Sequence, residues 1–470
     1  MVDGMPTLAA DPSRLSHARG ALAHSVSAAV WRRSFRVRSA DATLAVSLRV
    51  GLAATVVLVA FGLAGHASIA GFALLGALST AFSRHEPLRR TAQKVGFVGV
   101  AVVASVLAGG LIALSGIPMW AQIGVMALGS GVAAALLHAF RVGGPGPVIL
   151  VFAATAAVGF TGTGTQLGVA VGAAALGAAV GLGVALMPFA VLPWGPARLA
   201  TARALSALGR VPRGGDVAEA RAAIVTAREN LALTAGSAAR DHDLAALLAE
   251  ADVALDRWLH DGDTSRLDAV VGHESELRKT KRHSPILGPG IEAAALPRPA
   301  SFLASGVAAL GARAVAIYAG RVVLAAAVAG WLAAGIGLDH PLWASMGAMA
   351  AMQGISYTHT VERGIQRLLG NVAGAVVAAA LIALSLGFWQ TAIVIAVLQI
   401  GAEVTAARNY GLCTLFVTPM ALLIVGLGST VGPEIGVSRV LDTAVGVVIG
   451  ILVAAVTVSV TDRAHLTLPA

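Results

Sequence analysis

Twelve apolar runs, separated by short polar loops, dominate the chain. They lie near 43–64, 67–83, 92–114, 119–139, 146–160, 165–192, 313–337, 341–357, 365–387, 389–407, 411–429 and 437–460. Most have the length of about 17–25 residues that a helix needs to cross the hydrocarbon core. A membrane β-barrel would show shorter segments of alternating polarity. The pattern therefore predicts an all-α membrane protein. The fifth run is short and follows 143–147, rich in Gly and Pro, so a broken crossing is expected there.

The runs form two groups of six. Arg49 and the residues after it align with Arg321 at an offset of 272, and Arg90 and Lys94 align with Arg363 and Arg367 at an offset of 273. Six spans per group gives both copies the same orientation, which predicts two parallel repeats about an axis along the membrane normal, with any pathway near their interface. The expected domains are a cytoplasmic segment 1–42, a first transmembrane half 43–195, a cytoplasmic helical insert 196–305, a second transmembrane half 306–462 and a cytoplasmic tail 463–470.

Composition agrees with a membrane location. Hydrophobic residues make up 57% of the 470 and charged residues 12%, with a mean hydropathy of +0.81, whereas soluble domains are about 25% charged. The insert carries 14 basic and 14 acidic residues, so the net charge of +9 arises elsewhere, mostly in short loops beside apolar runs. Such loops remain cytoplasmic. We therefore expect both termini and the insert to be cytoplasmic, and no nucleic-acid partner.

The polar segments predict further features. Residues 1–40 contain no short apolar stretch with a cleavage site, so the first span is expected to be a retained anchor. Within the insert, 218–236 and 243–259 carry apolar residues at helical spacing, with Gly214, Gly215 and Gly262 as breaks. This pattern predicts a helical hairpin that serves either as a packing or oligomerisation element or as a binding site for a partner. Residues 278–299 are interpreted as a flexible return to the membrane.

Motifs for catalysis are absent from the sequence. It has no Walker A loop, no His-Glu-x-x-His zinc motif, no Gly-x-Ser-x-Gly elbow and no Gly-x-Gly-x-x-Gly turn. Its single cysteine, Cys413, lies inside an apolar run and is interpreted as a packing residue. We expect neither an enzyme nor a cofactor or metal.

Ionisable residues inside the spans are the informative ones, because each is costly in a membrane unless it is paired or hydrated. Glu403, Arg439 and Asp442 qualify. Arg439 and Asp442 are three residues apart on one helix face, so an ion pair is predicted, either structural or part of a pathway. Four Gly-x3-Gly pairs predict close helix contacts. They are Gly168/Gly172, Gly177/Gly181, Gly370/Gly374 and Gly446/Gly450.

Three elements of the second half resemble one family. They are Arg363-x3-Arg367-x2-Gly370-Asn371-x2-Gly374, the upstream His340-Pro341-Leu342-Trp343, and the downstream Glu403 with Arg408-Asn409-Tyr410-Gly411. In this order they resemble the signature of the fusaric acid resistance-like (FUSC, aromatic acid exporter) family. The first half fits by architecture only, since Lys94 stands in place of the second Arg, Arg141-Val142-Gly143-Gly144 stands in place of Arg-Asn-Tyr-Gly, and no Trp occupies the position that corresponds to Trp343.

The resemblance implies a bacterial inner-membrane protein that exports organic anions, with aromatic carboxylic acids as the named substrates and with proton coupling. The plant aluminium-activated malate channels look distantly related. Candidate substrate-binding residues are Arg49, Arg321, Arg363, Arg367, Arg408, Asn409 and Tyr410. Glu403 and Asp442 are the candidates for protonation. The expected partners are a small organic anion and the lipid bilayer, and either a second copy of the chain or an accessory export subunit is compatible with the sequence.

Two other functions stay open. A passive anion channel would transport at a rate insensitive to the proton gradient. A non-transporting scaffold, whose insert binds a cytoplasmic partner, would lose its function entirely on deletion of 215–290, whereas a transporter would lose it only in part. Six cations could also surround a cytoplasmic entrance and attract anions, although retention of positive loops alone accounts for their position. They are Arg90, Lys94, Arg141, Arg363, Arg367 and Arg408.

The topology leads to a first prediction. In a Cys413→Ala background, a single cysteine at Thr163 should react with a membrane-impermeant thiol reagent in intact cells, because 161–165 is an outer loop in this topology. A cysteine at Ser265, in the insert, should react only after the cells are opened. Labelling of Ser265→Cys in intact cells would reverse the orientation.

Overall fold

The computed structural model describes residues 14–38, 44–234, 238–279, 295–353, 356–428, 432 and 434–458. All regular secondary structure within these ranges is helical. The expected tail 463–470 and most of the flexible return at 278–299 lie outside them. Two compact units are present: one comprises 1–81, 99–181 and 307–470, and the other comprises 82–98 and 182–306.

The helices follow the predicted order. The segment before the first span contains α1 (Arg14–Ser25) and α2 (Ala28–Ser34). The first apolar group contains α3 (Leu44–Leu63), α4 (Ala70–Ala77), α5 (Leu88–Leu114), α6 (Met119–Ala139), α7 (Val148–Phe160) and α8 (Gly164–Val191), with 3-10 turns at Ala67–Ile69 and Leu78–Phe82 on either side of α4. The insert contains α9 (Gly195–Arg210), α10 (Val217–Thr234), α11 (Ala238–Asp261), α12 (Ser265–Gly272) and α13 (Glu274–Arg278). The second group contains α14 (Phe302–Leu310), α15 (Arg313–Gly335), α16 (Pro341–Ala351), α17 (Tyr357–Ala383), α18 (Phe388–Ala406), α19 (Tyr410–Gly428) and α20 (Ile435–Val456).

Nine helices in the described ranges are long and apolar enough to cross a membrane: α3, α5, α6, α8, α15, α17, α18, α19 and α20. The other three predicted crossings are helical but short. The stretch 67–82 is divided by 3-10 turns, α7 has 13 residues and α16 has 11, so α16 is about 16 Å long against a hydrocarbon core of about 30 Å. A straight crossing by each of the twelve runs is therefore not observed.

The short helices α4 and α16 are surrounded by protein. Every residue of both is buried, whereas only 33–44% of the most apolar window of each long helix is buried. Lipid cannot satisfy the free backbone groups at a helix end, so a helix that ends at membrane depth has to be enclosed by other helices. Because neighbouring helices surround α4 and α16, these two helices can be shorter than the hydrocarbon core.

Glycines set the distance between each short helix and a long neighbour. A Cβ atom at Gly177, on α8, would lie 2.6 Å from the carbonyl carbon of Ala73 on α4, and one at Gly446, on α20, would lie 2.8 Å from the amide nitrogen of Ala348 on α16. Two of the predicted glycine pairs, at 177/181 and 446/450, thus form close helix contacts. The prediction for 168/172 is wrong, because no described atom of another helix lies within 4 Å of a Cβ built at either position.

The two apolar groups pack against each other in matching pairs. Counting only the six predicted spans of each group, so that α15 is the first helix of the second group, the first helix of each group contacts the fourth helix of the other, as α3 contacts α18 and α15 contacts α6. The second helix of each group contacts the fifth of the other, as α4 contacts α19 and α16 contacts α7. Close approach again depends on glycine, since Gly131 of α6 lies against the Ala319 carbonyl and Val323 of α15.

The insert contains a hydrophobic core of its own. Leu205, Leu208, Ile224, Leu231 and Leu247 are fully buried in a cluster that α9, α10, α11 and α12 share. The predicted hairpin corresponds to α10 and α11, and the breaks on either side are real, because the glycines at 214 and 262 adopt positive φ angles of 88° and 69°. Ion pairs such as Arg228–Asp252, at 2.7 Å, lie around the core. The insert is thus a small helical bundle.

The glycine contact between α16 and α20 leads to a second prediction. Gly446→Ala should lower the melting temperature of the purified protein, because the new methyl group meets backbone atoms of α16 and overpacking costs about 1–3 kcal/mol. Gly168→Ala is the matched control: it makes the same chemical change in open space and should be neutral or slightly stabilising. Equal melting curves for the two variants would show that the contact is not tight.

Candidate functional site

Two arginines of α17 meet the tyrosine that begins α19. Arg363 and Arg367 lie one turn apart on α17, so their side chains share a face. The Nη1 atom of Arg367 donates a hydrogen bond of 2.9 Å to the hydroxyl of Tyr410. The guanidinium carbon of Arg363 lies 3.9 Å from the centre of the same ring, in cation–π geometry. Tyr410 therefore holds both cations at one place.

This meeting depends on close packing of α17 and α19. A Cβ atom at Gly370 would lie 2.8 Å from the Thr414 Cβ, and one at Gly374 would lie 2.7 Å from the Thr418 Cβ. Asn371, between these glycines, donates to the Arg367 carbonyl at 3.0 Å and accepts from Thr418 at 2.9 Å. The third predicted glycine pair is thus a helix contact, and it brings the start of α19 to the arginine face.

Part of each guanidinium group has no partner among the described residues. Gln353 accepts a hydrogen bond of 2.8 Å from the Nη2 of Arg363. The buried Nε atoms of Arg363 and Arg367, however, find no hydrogen-bond acceptor in the described ranges. A buried N–H without an acceptor is costly, so water or an anionic group at these atoms would lower that cost.

A third arginine, Arg439 of α20, lies close to this pair. Its guanidinium carbon lies 4.8 Å from the ring centre of Trp343. Arg367 and Arg439 are each only 5% exposed, and they are close enough for their charges to repel each other. The Nε of Arg439 is also buried without an acceptor in the described part of the chain. Three guanidinium groups thus lie along α17 and α20.

Trp343 forms an aromatic platform with His340. The two rings stack with centroids 4.3 Å apart and planes 13° apart. His340 precedes α16, outside the long helices, and burial lowers the pKa of its ring, an effect that the Asp339 charge opposes and the Arg439 charge reinforces. His340 is therefore neutral at pH 7 and adds no further charge to the platform.

Asp442 is the carboxylate nearest to Arg439 on α20. It is 0% exposed, and neither of its oxygens accepts a hydrogen bond from a described residue. The predicted ion pair between Arg439 and Asp442 is therefore not a direct contact, because the Arg439 guanidinium lies over Trp343 instead. The two side chains interact through space only. An unpartnered buried carboxylate inside a membrane bundle binds a proton, water or a cation far more readily than an exposed one does.

The other predicted site residues lie on α3, α15 and α18. Glu403 is buried on α18, which packs against α3, and Gln399 donates to it at a long 3.5 Å. Arg49 lies on α3. The Nε of Arg321 donates to Thr457 at 2.8 Å, at the end of α20. The bond of Arg321 joins α15 to the end of α20.

Asn409 has a structural role. Its amide nitrogen donates to the carbonyls of Ser34 and Arg36, at 2.9 and 3.0 Å, and its side-chain oxygen accepts from the amides of Gly411 and Leu412. These four bonds use the full capacity of the side chain, so Asn409 cannot also bind a substrate in this state.

Arg408 connects to the same segment through its backbone. Its carbonyl accepts a hydrogen bond of 2.9 Å from the amide of Arg38. The loop between α18 and α19 therefore fastens the segment before the first span at two successive residues, and this contact is the role that the structure shows for Arg408.

The counterparts in the first half differ. Lys94 forms an ion pair with Glu86, and the guanidinium carbon of Arg90 lies 5.7 Å from the Phe302 ring centre. Both cations belong to the second compact unit, whereas Arg141 belongs to the first. The expected ring of six cations at one entrance therefore stays a prediction. The Lys94 charge is neutralised by a carboxylate that touches it.

Sequence reasoning missed two partners. Only its polarity within an apolar run distinguishes Gln353 in the sequence, and the contact of Trp343 with Arg439 joins residues almost a hundred positions apart. No group of three or more His, Cys, Asp or Glu side chains that could bind a metal occurs in the described ranges. The contacts and charge interactions described above link five polar residues of the second half, called here the arginine cluster. It consists of Arg363, Arg367, Tyr410, Arg439 and Asp442.

Comparison with known proteins agrees with these elements. Residues 303–453 match the fusaric acid resistance protein-like family. The second half of the chain is a fusaric acid resistance-like region. The match covers α17 to α19 and most of α20, so it includes the whole arginine cluster. It confirms the resemblance that the three sequence elements carry.

One curated relative is a membrane protein. The "Uncharacterized membrane protein YvaC" of Bacillus subtilis (strain 168) is 36% identical over 118 residues, which is 25% of this chain and 19% of the relative. The aligned part therefore spans about a fifth of the relative's length. No solved structure matches the chain. With nine long apolar helices in the described ranges, this chain is a multi-pass membrane protein.

The hydrogen bond from Arg367 to Tyr410 leads to a third prediction. Tyr410→Phe should lower the free energy of unfolding by about 1–3 kcal/mol, because it leaves an N–H of a buried cation without its acceptor. Thermal unfolding of the purified protein in detergent would measure this effect. The matched control is Tyr318→Phe, which removes a half-buried hydroxyl that makes no hydrogen bond to a described residue. An equal change in both variants would mean that the bond contributes nothing.

Proposed function

We propose that this chain transports organic anions across the bacterial inner membrane, outward from the cytoplasm, and that the arginine cluster binds the anion. The observation that supports this most is the charge balance of the cluster. Arg363, Arg367 and Arg439 contribute three positive charges, and Asp442 contributes one carboxylate. Each charge inside a membrane is costly, so an excess of guanidinium groups with unsatisfied N–H atoms favours an anionic ligand.

The geometry favours a carboxylate among the anions. A guanidinium group offers parallel N–H donors that match the two oxygens of a carboxylate. Tyr410 restrains Arg363 by its ring and Arg367 by its hydroxyl, so both groups are oriented before a ligand arrives, which lowers the entropy lost on binding. The stacked rings of Trp343 and His340 offer an aromatic surface beside the third arginine, which supports a substrate with an apolar or aromatic body.

Two parallel six-helix repeats are part of the proposal. The reciprocal contacts of first with fourth helices and of second with fifth helices support a twofold relation between the groups. So does the matching use of Gly177 and Gly446 against the two short helices. In such an arrangement the pathway lies near the repeat interface, and α16, which lies beside the cluster, contacts α6 and α7 of the other group.

Asp442 is the proposed protonation site. When its carboxylate is charged, it offsets Arg439 and repels an incoming anion. When it is protonated, Arg439 is left uncompensated and attracts the anion. Proton binding and anion binding therefore favour each other, and linkage makes the effect reciprocal. Arg439 on the same helix and Asp339 before α16 are the charged groups that act on Asp442.

The fourth prediction tests the anion site. In inside-out membrane vesicles supplied with a panel of labelled aromatic and aliphatic carboxylates, wild-type protein should accumulate at least one of them. Arg367→Lys should lower that uptake about ten- to a hundredfold at matched protein levels, because lysine keeps the charge but loses the bidentate geometry. Arg141→Lys, at an exposed loop position, is the control and should transport normally. If Arg367→Lys transports at the wild-type rate, the retention of positive charge on the cytoplasmic side is sufficient to explain an arginine at this position.

The same vesicles test the role of Asp442. Uptake by wild-type protein should rise as pH falls, because protonation removes the negative charge beside Arg439. Asp442→Asn should transport at a rate that no longer depends on pH, whereas the control Asp268→Asn, at an exposed position of the insert helix α12, should retain the dependence. A passive channel would show a rate indifferent to pH and to an uncoupler in all three proteins.

A further inference from the structure

The segment that precedes the first span carries a row of exposed basic and apolar side chains. Two of the apolar ones, Phe35 and Val37, are 65% and 61% exposed. The stretch 12–40 contains no acidic residue. Apolar side chains so exposed beside arginines are typical of segments at the membrane interface. The exposed row consists of Trp31, Arg32, Phe35, Arg36, Val37 and Arg38.

Hydrogen bonds hold this segment at the ends of the long helices. The Ser34 carbonyl accepts from Gln366 of α17 at 3.0 Å and from Asn409, just before α19, at 2.9 Å. Arg38 forms an ion pair of 3.8 Å with Glu362. The side chain of Ser34 is buried, and α2 packs against α17. The segment is thus fastened where α17 and α19 begin.

The position of α3 places the exposed face near the lipid. Only five residues separate Arg38 from Leu44, where α3 begins, and a chain of that length spans about 20 Å at most. The arginines therefore lie within reach of the headgroup layer on the side where α3, α17 and α19 begin. Trp31, Phe35 and Val37 are suited to the boundary between headgroups and acyl chains.

We propose that residues 31–38 bind the anionic phospholipid headgroups of that leaflet. The arginines supply the charge complementarity, and the exposed aromatic and apolar side chains supply the insertion into the boundary. A nucleic acid or a soluble acidic protein would match the charge but would leave Phe35 and Val37 in water. The proposal does not depend on which solute the protein transports.

A quenching experiment with the full-length protein tests this surface. Val37→Cys in a Cys413→Ala background carries a fluorophore, and the protein is placed in nanodiscs with brominated phosphatidylglycerol or brominated phosphatidylcholine. The label should be quenched more strongly by the anionic lipid, and the difference should shrink at high salt because the charges are screened. The matched control is Val225→Cys, an exposed valine on the insert helix α10, which should show no preference between the lipids.

Charge removal completes the test. A variant with Arg32→Gln, Arg33→Gln and Arg36→Gln together should bind phosphatidylglycerol on the order of a hundredfold more weakly, at about fivefold for each arginine. The control is a variant in which three arginines of the insert unit are changed to Gln, and it should bind as the wild type does. These are Arg213, Arg257 and Arg298.

Two results would overturn the proposal. One is that neither lipid quenches the label at position 37, which is the result expected if a protein partner or a second copy of the chain covers this surface. The other is equal quenching by both lipids that the arginine changes do not alter.

Discussion

The close contact between α16 and α20 is the constraint on which the arginine cluster depends. Gly446 has no side chain, so the backbone of α20 can approach the backbone of α16. That approach places Arg439 over Trp343 and encloses Asp442. A short helix such as α16 could not remain inside the membrane without it, because the free backbone groups at its ends need surrounding protein. Packing through glycine thus permits both the short helix and the buried charges beside it.

Tyr410 joins the cluster to the packing of α17 and α19. Its ring and hydroxyl each hold one arginine, and the glycines of α17 bring the two helices together. Charges of like sign at such depth repel each other, and their cost falls when an aromatic face, a hydroxyl or a ligand shares the site. Arg363 and Arg367 have the first two. Their Nε atoms find no acceptor among the described residues, which is an observation that supports the proposal of an anionic ligand.

The segment before α3 is connected to the same helices. Asn409 donates to two of its carbonyls while capping α19, one residue before Tyr410. Gln366, one residue before Arg367, donates to Ser34. A displacement of residues 34–36 would therefore pull on the first turn of α19 through Asn409 and on the neighbourhood of Arg367 through Gln366. Hydrogen bonds from Gln366 and Asn409 to the Ser34 carbonyl thus connect the segment to the sequence neighbours of Arg367 and Tyr410.

Hydrophobic runs determined much of this protein without reference to its tertiary structure. The period and length of the runs predicted all nine long apolar helices of the described ranges but not the short apolar helix α14, and the elements at 363–374 and 408–411 contain three of the five residues of the arginine cluster. Local composition decides helix formation and membrane partition. The sequence did not show which helices are long enough to cross the membrane. The helices α4, α7 and α16 are short because turns and burial by neighbouring helices decide where they end. The ion pair predicted between Arg439 and Asp442 is present as an interaction through space and not as a direct contact, for a similar reason. Spacing along one helix places the two on one face, but only the packing of α20 on α16 brings Trp343 to the guanidinium, and contacts between distant parts of a chain follow from tertiary structure alone.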